Sequence, residues 1–217
     1  NGTLARILAA HAANRPEDLA AVARLPVAGV RPFRATSRPA LAWAARVGGH
    51  WRFTYLLAVL EAANGDGASA ARLLEACGTE PDEAAFYRYR AKFRSGAAQR
   101  EDLFAARRCG DSWRVGYALG ESYAREGDWT NACATAESYL KANPGSNPLE
   151  LQYARALNRL GRYRESVAFL KTVRILPSEM GNNGSDLWIE ANRALGDEAA
   201  ANAYPENLGK GKPFAVD

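Results

Sequence analysis

Two stretches of the chain align without a gap when the sequence is shifted by 62 residues. The first, WRFTYLLAVLEAANGD, covers 51–66, and the second, WRVGYALGESYAREGD, covers 113–128. Internal repetition of this kind is typical of proteins in which each structural unit stacks on its neighbour. Because 62 is twice 31, the shift indicates a further unit between the two copies.

Glycines recur along the chain at spacings of 31, 31, 34 and 35 residues, each in a short break between two helix-like runs. They are Gly65, Gly96, Gly127, Gly161 and Gly196. Glycine can take the left-handed conformation that ends one helix, and a following Asp can cap the next. Prolines at Pro81, Pro144 and Pro177 mark the other breaks, through which no helix continues. The pattern predicts an all-α solenoid of antiparallel helix hairpins.

Residues 113–146 resemble a tetratricopeptide repeat. The matching positions are Leu119, Gly120 and Tyr123 in the first helix, Ala132 in the second and Pro144 at the end. The segment departs from the family where Gly116 takes the Trp position and Ala136 takes the aromatic position of the second helix. With less of the consensus, the resemblance extends over about 51–204. It implies a right-handed superhelix whose first helices line a concave groove, where partners bind.

The glycine and proline spacing suggests three regions. We expect a helical cap over 1–47 with a loop at 25–38, about five hairpins over 48–204 and a tail at 205–217. Small residues at Gly120, Ala132 and Ala154 are expected to let paired helices approach closely. Because the chain begins at Asn1 rather than Met, we expect it to be a piece of a longer protein.

Composition argues against a membrane protein and gives little support for a nucleic-acid one. No stretch approaches the roughly 20 apolar residues that span a bilayer. The segment from Thr3 to Ala13 lacks the pattern of a signal peptide, so a cytoplasmic location is favoured. Nucleic-acid binding usually requires a clustered basic face, whereas 28 basic and 24 acidic residues leave a net charge of only +4.

The sequence contains few of the residue types that usually serve in catalysis or metal binding. Cys77, Cys109 and Cys133 show no CxxC spacing, so we expect free, buried thiols rather than a disulfide or zinc site. Two histidines leave little material for a metal site or a triad. The acidic cluster around Asp82 and Glu83 is interpreted as favouring a helix dipole. We therefore expect no enzyme activity, no cofactor and no metal.

The tetratricopeptide resemblance assigns partner-binding positions to the first helices. They are Arg52, Tyr55, Tyr87, Arg90, Arg94, Arg114, Tyr117, Glu121, Gln152 and Arg155. Arginine and tyrosine are over-represented at binding hot spots, and the YRYRAKFR run at 87–94 is the most basic and aromatic part of the set. The alternative is structural: the rings are buried and the Arg heads reach solvent.

Three functions follow, in order of preference. The first is a protein-interaction scaffold that binds an acidic or carboxylate-bearing peptide or partner domain in the groove. The second is an accessory repeat domain that packs against other domains of a larger enzyme. YPENLGKGKP loosely resembles segments of long bacterial repeat proteins fused to carbohydrate-related domains, and this resemblance hints at a carbohydrate-related enzyme. The third and least favoured is single-stranded nucleic-acid binding through Arg and aromatic stacking.

Overall fold

A computed structural model describes residues 2–110, 112–175, 183–203 and 205–208. Within these ranges the chain forms thirteen α-helices and four short 3-10 helices, and no strand. It divides into two compact units, Asn1–Asp111 and Ser112–Asp217, each of which contains one copy of the sequence repeat. Helices pack on those next to them in the chain. The all-α, tetratricopeptide-like architecture of consecutive hairpins agrees with the prediction.

Unit 1 contains an N-terminal helical region followed by two hairpins. Its helices are α1 (Gly2–Ala12), α2 (Leu19–Val22), α3 (Arg38–Gly48), α4 (Trp51–Ala63), α5 (Gly67–Ala76), α6 (Ala84–Arg90) and α7 (Gly96–Cys109). The 3-10 helices are Pro16–Asp18, Ala35–Ser37 and Ala91–Phe93. Helices α4 and α5 form one hairpin and α6 and α7 the next, while α3 packs on both α1 and α4. An irregular loop at 23–34 joins α2 to the turn before α3.

Unit 2 contains three hairpins. Its helices are α8 (Trp113–Arg125), α9 (Trp129–Ala142), α10 (Asn147–Arg159), α11 (Tyr163–Leu170), α12 (Asn183–Ala194) and α13 (Glu198–Asn202), followed by the 3-10 helix Glu206–Leu208. The first helices α8, α10 and α12 contact one another in sequence order. Pro177 and most of the predicted tail lie outside the described residues.

The Gly-Asp dipeptide inside the hairpins ends one helix and begins the next. Gly127 has φ +76°, and the N–H of Asp128 donates to the carbonyl of Tyr123 at 3.0 Å. The Asp128 carboxylate in turn accepts from the backbone N–H of Asn131 at 3.1 Å. Equivalent caps at Asp66 and Asp197 accept from Ser69 and Ala200. The predicted role of the dipeptide is confirmed.

Glycine on α8 allows close contact with two neighbouring helices. A Cβ on Gly116 would overlap the ring of Tyr139 on α9, and one on Gly120 would overlap the amide of Gln152 on α10. Both α8 positions are buried. Gly116 stands where the tetratricopeptide pattern has a Trp side chain, and the ring of Tyr139 packs against the glycine instead. The prediction that small residues permit close approach is confirmed for Gly120.

The cysteines are free, as expected, but they do not share one environment. Cys77 and Cys133 are buried, and burial raises the pKa of the Cys77 thiol to about 12. Cys109 is exposed, because it is the last residue of α7 and faces solvent there. The expectation of a buried thiol is therefore wrong for Cys109.

Candidate functional site

A cavity of about 440 Å³ lies in unit 1 between the 29–33 part of the loop and helices α4 and α6. Aliphatic side chains such as Val59 line its base on α4. Its polar and aromatic lining is Arg31, Phe33, Tyr55, Arg88, Tyr89 and Lys92. The cavity is therefore walled by aromatic rings and cationic side chains.

Two polar contacts hold the loop over this cavity. The backbone N–H of Val27 donates to the Glu83 carboxylate, at 3.0 Å to Oε2. At the other end, Asn64 Nδ2 donates to the carbonyl of Phe33 at 3.3 Å. Val27 and Val30 are buried, which anchors the loop by apolar contact between these two points. The loop is thereby fixed against α4 and against the start of α6.

Glu83 contributes more to this arrangement than a helix-capping residue would. It occupies the N-cap position of α6 but makes no side-chain cap hydrogen bond. Its carboxylate instead accepts from Val27 and from Arg52 Nε, the latter at 3.0 Å. Glu83 lies at the start of a helix, as predicted, and its carboxylate also links the loop to α4.

The charged side chains that line the cavity are all cationic. Arg31, Arg88 and Lys92 are the ionisable side chains of the lining apart from its tyrosines, and none of the lining residues is acidic. Burial raises the pKa of Tyr55 to about 12, with the two arginines acting in the opposite direction. Tyr55 therefore stays a neutral hydrogen-bond donor at physiological pH. The site is suited to anionic groups next to apolar surface.

The aromatic wall is built from neighbouring rings. The ring centroids of Tyr55 and Tyr89 lie 5.7 Å apart in an edge-to-face arrangement. Lys92 Nζ stands 5.4 Å from the centroid of Tyr89, at a distance that permits a cation–π contact. Phe33 is 67% exposed at the rim, which is unusual for so large an apolar side chain.

Several predicted site residues of unit 1 maintain the fold instead of facing a ligand. Arg90 is 5% exposed, and its NH2 group pairs with Asp102 Oδ1 at 2.7 Å. Arg94 is held by Glu75 and by Asp102. Burial and these ion pairs remove Arg90 from the groove and engage Arg94, so charge reversal at Arg90 would damage the hairpin itself.

The other three predicted residues of unit 1 are also largely occupied. Tyr87 is buried, and its hydroxyl donates to the carbonyl of Thr79 at 3.2 Å. Arg52 is paired with Asp82 and Glu83. Tyr55 is buried by its neighbours but borders the cavity. The structural alternative agrees with the structure for the buried rings of Tyr55 and Tyr87 but is wrong for the Arg heads, because Arg52 and Arg90 pair with carboxylates instead of reaching solvent.

In unit 2 the predicted residues form two groups. Arg114 and Tyr117 are exposed on α8. Gln152 is buried and donates to the Tyr117 carbonyl at 3.0 Å and to the Glu121 carboxylate at 2.9 Å. Arg155 also pairs with Glu121. The second group therefore joins α10 to α8, and Arg114 and Tyr117 are the members left accessible.

Sequence reasoning missed five of the six polar and aromatic residues of the cavity lining as individual positions: Arg31, Phe33, Arg88, Tyr89 and Lys92. The last three lie within the basic and aromatic run at 87–94, so the segment was identified although the face was not. Arg31 lies in a loop for which the repeat pattern makes no prediction. The buried Asp102, which decides the orientation of Arg90, was also missed.

Comparison with known families agrees with the hairpin geometry of unit 2. Residues 114–146 match the family model of the tetratricopeptide repeat. This match covers α9 and nearly all of α8, the hairpin in which the consensus residues were recognised. Tetratricopeptide domains generally bind proteins or peptides and serve as interaction scaffolds. No curated protein matches the chain.

Two further features are absent from the described ranges of the chain. No group of three or more His, Cys, Asp or Glu side chains is placed to hold a metal ion. No helix there combines the length and the apolar character needed to cross a bilayer.

Proposed function

We propose that the chain is a non-enzymatic protein-interaction module and that its unit 1 cavity binds an acidic segment of a partner protein. One observation carries the proposal: the cavity of about 440 Å³ gathers Arg31, Arg88 and Lys92 with no acidic residue in its lining. Elsewhere in unit 1, Arg52 and Arg90 already have carboxylate partners. The cavity thus gathers cations for which its own lining supplies no carboxylate.

The size and polarity of the cavity favour a peptide carboxylate as the bound group. A charge-assisted hydrogen bond contributes about 1.5–3 kcal/mol, so two of them distinguish a carboxylate from a neutral side chain. Tyr55 and Tyr89 are rigid rings that offer contact area at low entropic cost. The loop is pinned at Val27 and Phe33, so binding requires little ordering of this wall.

The experiment reverses two of the three cations of the cavity lining and, of the contacts described above, removes only that of Lys92 with Tyr89. Arg88→Glu combined with Lys92→Glu reverses two lining cations, while Arg6→Glu combined with Arg46→Glu makes the same change in net charge on exposed positions of α1 and α3. Fluorescence anisotropy with a labelled Glu-rich hexapeptide and its Gln-rich analogue measures binding to the full chain. We expect at least a tenfold loss of affinity for the Glu-rich peptide in the first variant alone.

Two outcomes would contradict this proposal. Equal affinity of both double variants for the Glu-rich peptide would show that net charge, and not the cavity, attracts it. Stronger retention of a single-stranded oligonucleotide than of the peptide, with the steep salt dependence of phosphate binding, would favour the nucleic-acid alternative.

A further inference from the structure

The two copies of the sequence repeat begin with the same Trp-Arg pair in the same geometry. The guanidinium carbon of Arg52 lies 4.5 Å from the centroid of the Trp51 ring. In the second copy Arg114 and Trp113 are also 4.5 Å apart. Each pair opens the first helix of a hairpin, α4 in unit 1 and α8 in unit 2. The internal repeat thus presents one motif twice, and its surroundings can be compared.

In the first copy the motif is occupied by two adjacent carboxylates from the same chain. Arg52 NH2 lies 2.9 Å from Asp82 Oδ1, and Arg52 Nε donates to Glu83 Oε1 at 3.0 Å. Asp82 and Glu83 stand immediately before α6, the first helix of the next hairpin. These contacts leave the Arg52 side chain only 12% exposed.

In the second copy the corresponding acids are absent. The segment before α10 reads Pro144-Gly145-Ser146, and Ser146 holds the N-cap position that Glu83 holds in unit 1. The first acid within α10, Glu150, is buried and accepts from Asn147. Across the described ranges no carboxylate forms a salt bridge with Arg114, which is exposed.

We infer that Trp113 and Arg114 form a second docking site, which takes two adjacent carboxylates from an acidic segment of another protein. The first copy shows the bound form of the motif, in which Asp82 and Glu83 take the ligand's place. The Trp ring covers one face of the guanidinium and leaves its in-plane N–H groups for a carboxylate. Tyr117, 36% exposed, lies three residues further along α8 and so on the same face, where it adds contact area.

The first experiment uses the chain's own acidic segment as the probe. The peptide TQPDEAAFY, which is the 79–87 segment with Glu80 replaced by Gln, carries the two side-chain carboxylates, and TQPNQAAFY is its neutral analogue. The full chain carries Arg88→Glu and Lys92→Glu throughout, so a failure of the unit 1 cavity does not affect the result. We expect the acidic peptide to shift the indole N–H signal of Trp113 in NMR spectra, and Arg114→Gln to weaken its binding at least fivefold. Arg164→Gln, on an exposed position of α11, is the matched control.

The second experiment gives the Trp113–Arg114 motif the intrachain carboxylate that Arg52 has in unit 1. Ser146→Glu places a carboxylate at the N-cap of α10, where we expect it to pair with Arg114 and to weaken peptide binding at least fivefold. Ser146→Gln should leave binding unchanged. The inference is overturned if the neutral peptide binds as well as the acidic one, if Arg114→Gln has no effect, or if Ser146→Glu and Ser146→Gln behave alike. Preference for an oligonucleotide over the peptide at Trp113 would also overturn it.

Discussion

The two units build similar hairpins with different polar contacts. In unit 1 an ion pair is buried within the α6–α7 hairpin, with Arg90 and Asp102 5% and 2% exposed, and the Gln99 amide donates to the Ala91 carbonyl beside it. In unit 2 amides make the buried contacts between first helices: Gln152 donates to the Tyr117 carbonyl, and Asn158 donates to the Leu187 carbonyl at 3.0 Å. Both amides also donate to a carboxylate on the neighbouring first helix. Unit 1 therefore buries an ion pair within a hairpin, whereas unit 2 buries amides that join neighbouring hairpins.

The difference bears on which arginines can serve a partner. A buried ion pair contributes little net stability as a pair, but loss of one member leaves an uncompensated charge. Arg90 is tied to such a pair, whereas Arg88, two residues away, lines the cavity. The proposed function therefore uses an arginine that the fold does not bind.

The largest expected loss of stability comes from breaking the buried ion pair of unit 1. Asp102→Ala leaves Arg90 buried without its carboxylate, so we expect a loss of about 3–5 kcal/mol in the free energy of unfolding. Hydrogen exchange read by mass spectrometry should show the loss of protection in α6 and α7. Glu101→Ala, on an exposed position of the same helix, is the control. Equal exchange in both variants would mean that the pair does not stabilise unit 1.

The next largest effect concerns the close packing of α8 against α9 in unit 2. Gly116→Ala forces a methyl group against the base of the Tyr139 ring, which is close to the backbone and cannot swing away. Overpacking of this kind costs about 1–3 kcal/mol. Gly67→Ala is the matched control, because a Cβ there meets no atom and an added side chain restricts the unfolded chain. If both substitutions gave the same urea midpoint, the close approach would carry no energetic weight.

A smaller effect tests a feature that the two units share. Asp128→Ala removes the cap of α9 and should cost about 1 kcal/mol. Asp128→Asn should retain most of the stability, since the amide oxygen can accept from the same backbone N–H. Thermal unfolding followed by circular dichroism distinguishes the two variants, and the cap would be irrelevant if alanine were as stable as asparagine.

The smallest effect concerns pH. A hydrogen bond from the Arg94 guanidinium lowers the pKa of Glu75 below its usual 4.5. The ionised carboxylate therefore stabilises the fold above pH 4.5, and this contribution is lost as the pH falls below that value. Because Glu75 is 55% exposed, we expect less than about 1 kcal/mol. Glu75→Gln should show a smaller drop in urea midpoint from pH 6 to pH 3.5 than Glu101→Gln, and parallel drops would exclude the contact.

The sequence predicted the fold well because its signals are local. Gly127 and Asp128 act through their own backbone and through the next turn, so their meaning can be read without tertiary information. The contact of the Tyr139 ring with Gly116 could not be predicted in this way, because the two residues lie on different helices. The sequence shows that Gly116 departs from the family pattern, but it does not show that the Tyr139 ring packs against this glycine.

The candidate site was predicted only as a segment. In the run at 87–94, Arg88 and Lys92 are four residues apart, as are Arg90 and Arg94, so both faces carry cations at helical spacing. What distinguishes them is Asp102 on α7, which draws Arg90 and Arg94 inward. Sequence spacing alone does not show which face meets an acid, and Arg31 comes from a loop outside the repeat.

The Gly-Asp junction has a consequence for how such a chain can change length. Helices α4 and α8 both have 13 residues, whereas α5 has 10 and α9 has 14. An insertion at the dipeptide would disturb two helix ends at once, and the segment at 77–83 holds Asp82 and Glu83 against Arg52. We therefore expect a whole hairpin to be exchanged between chimaeric chains with less damage at 143–146 than at 77–83.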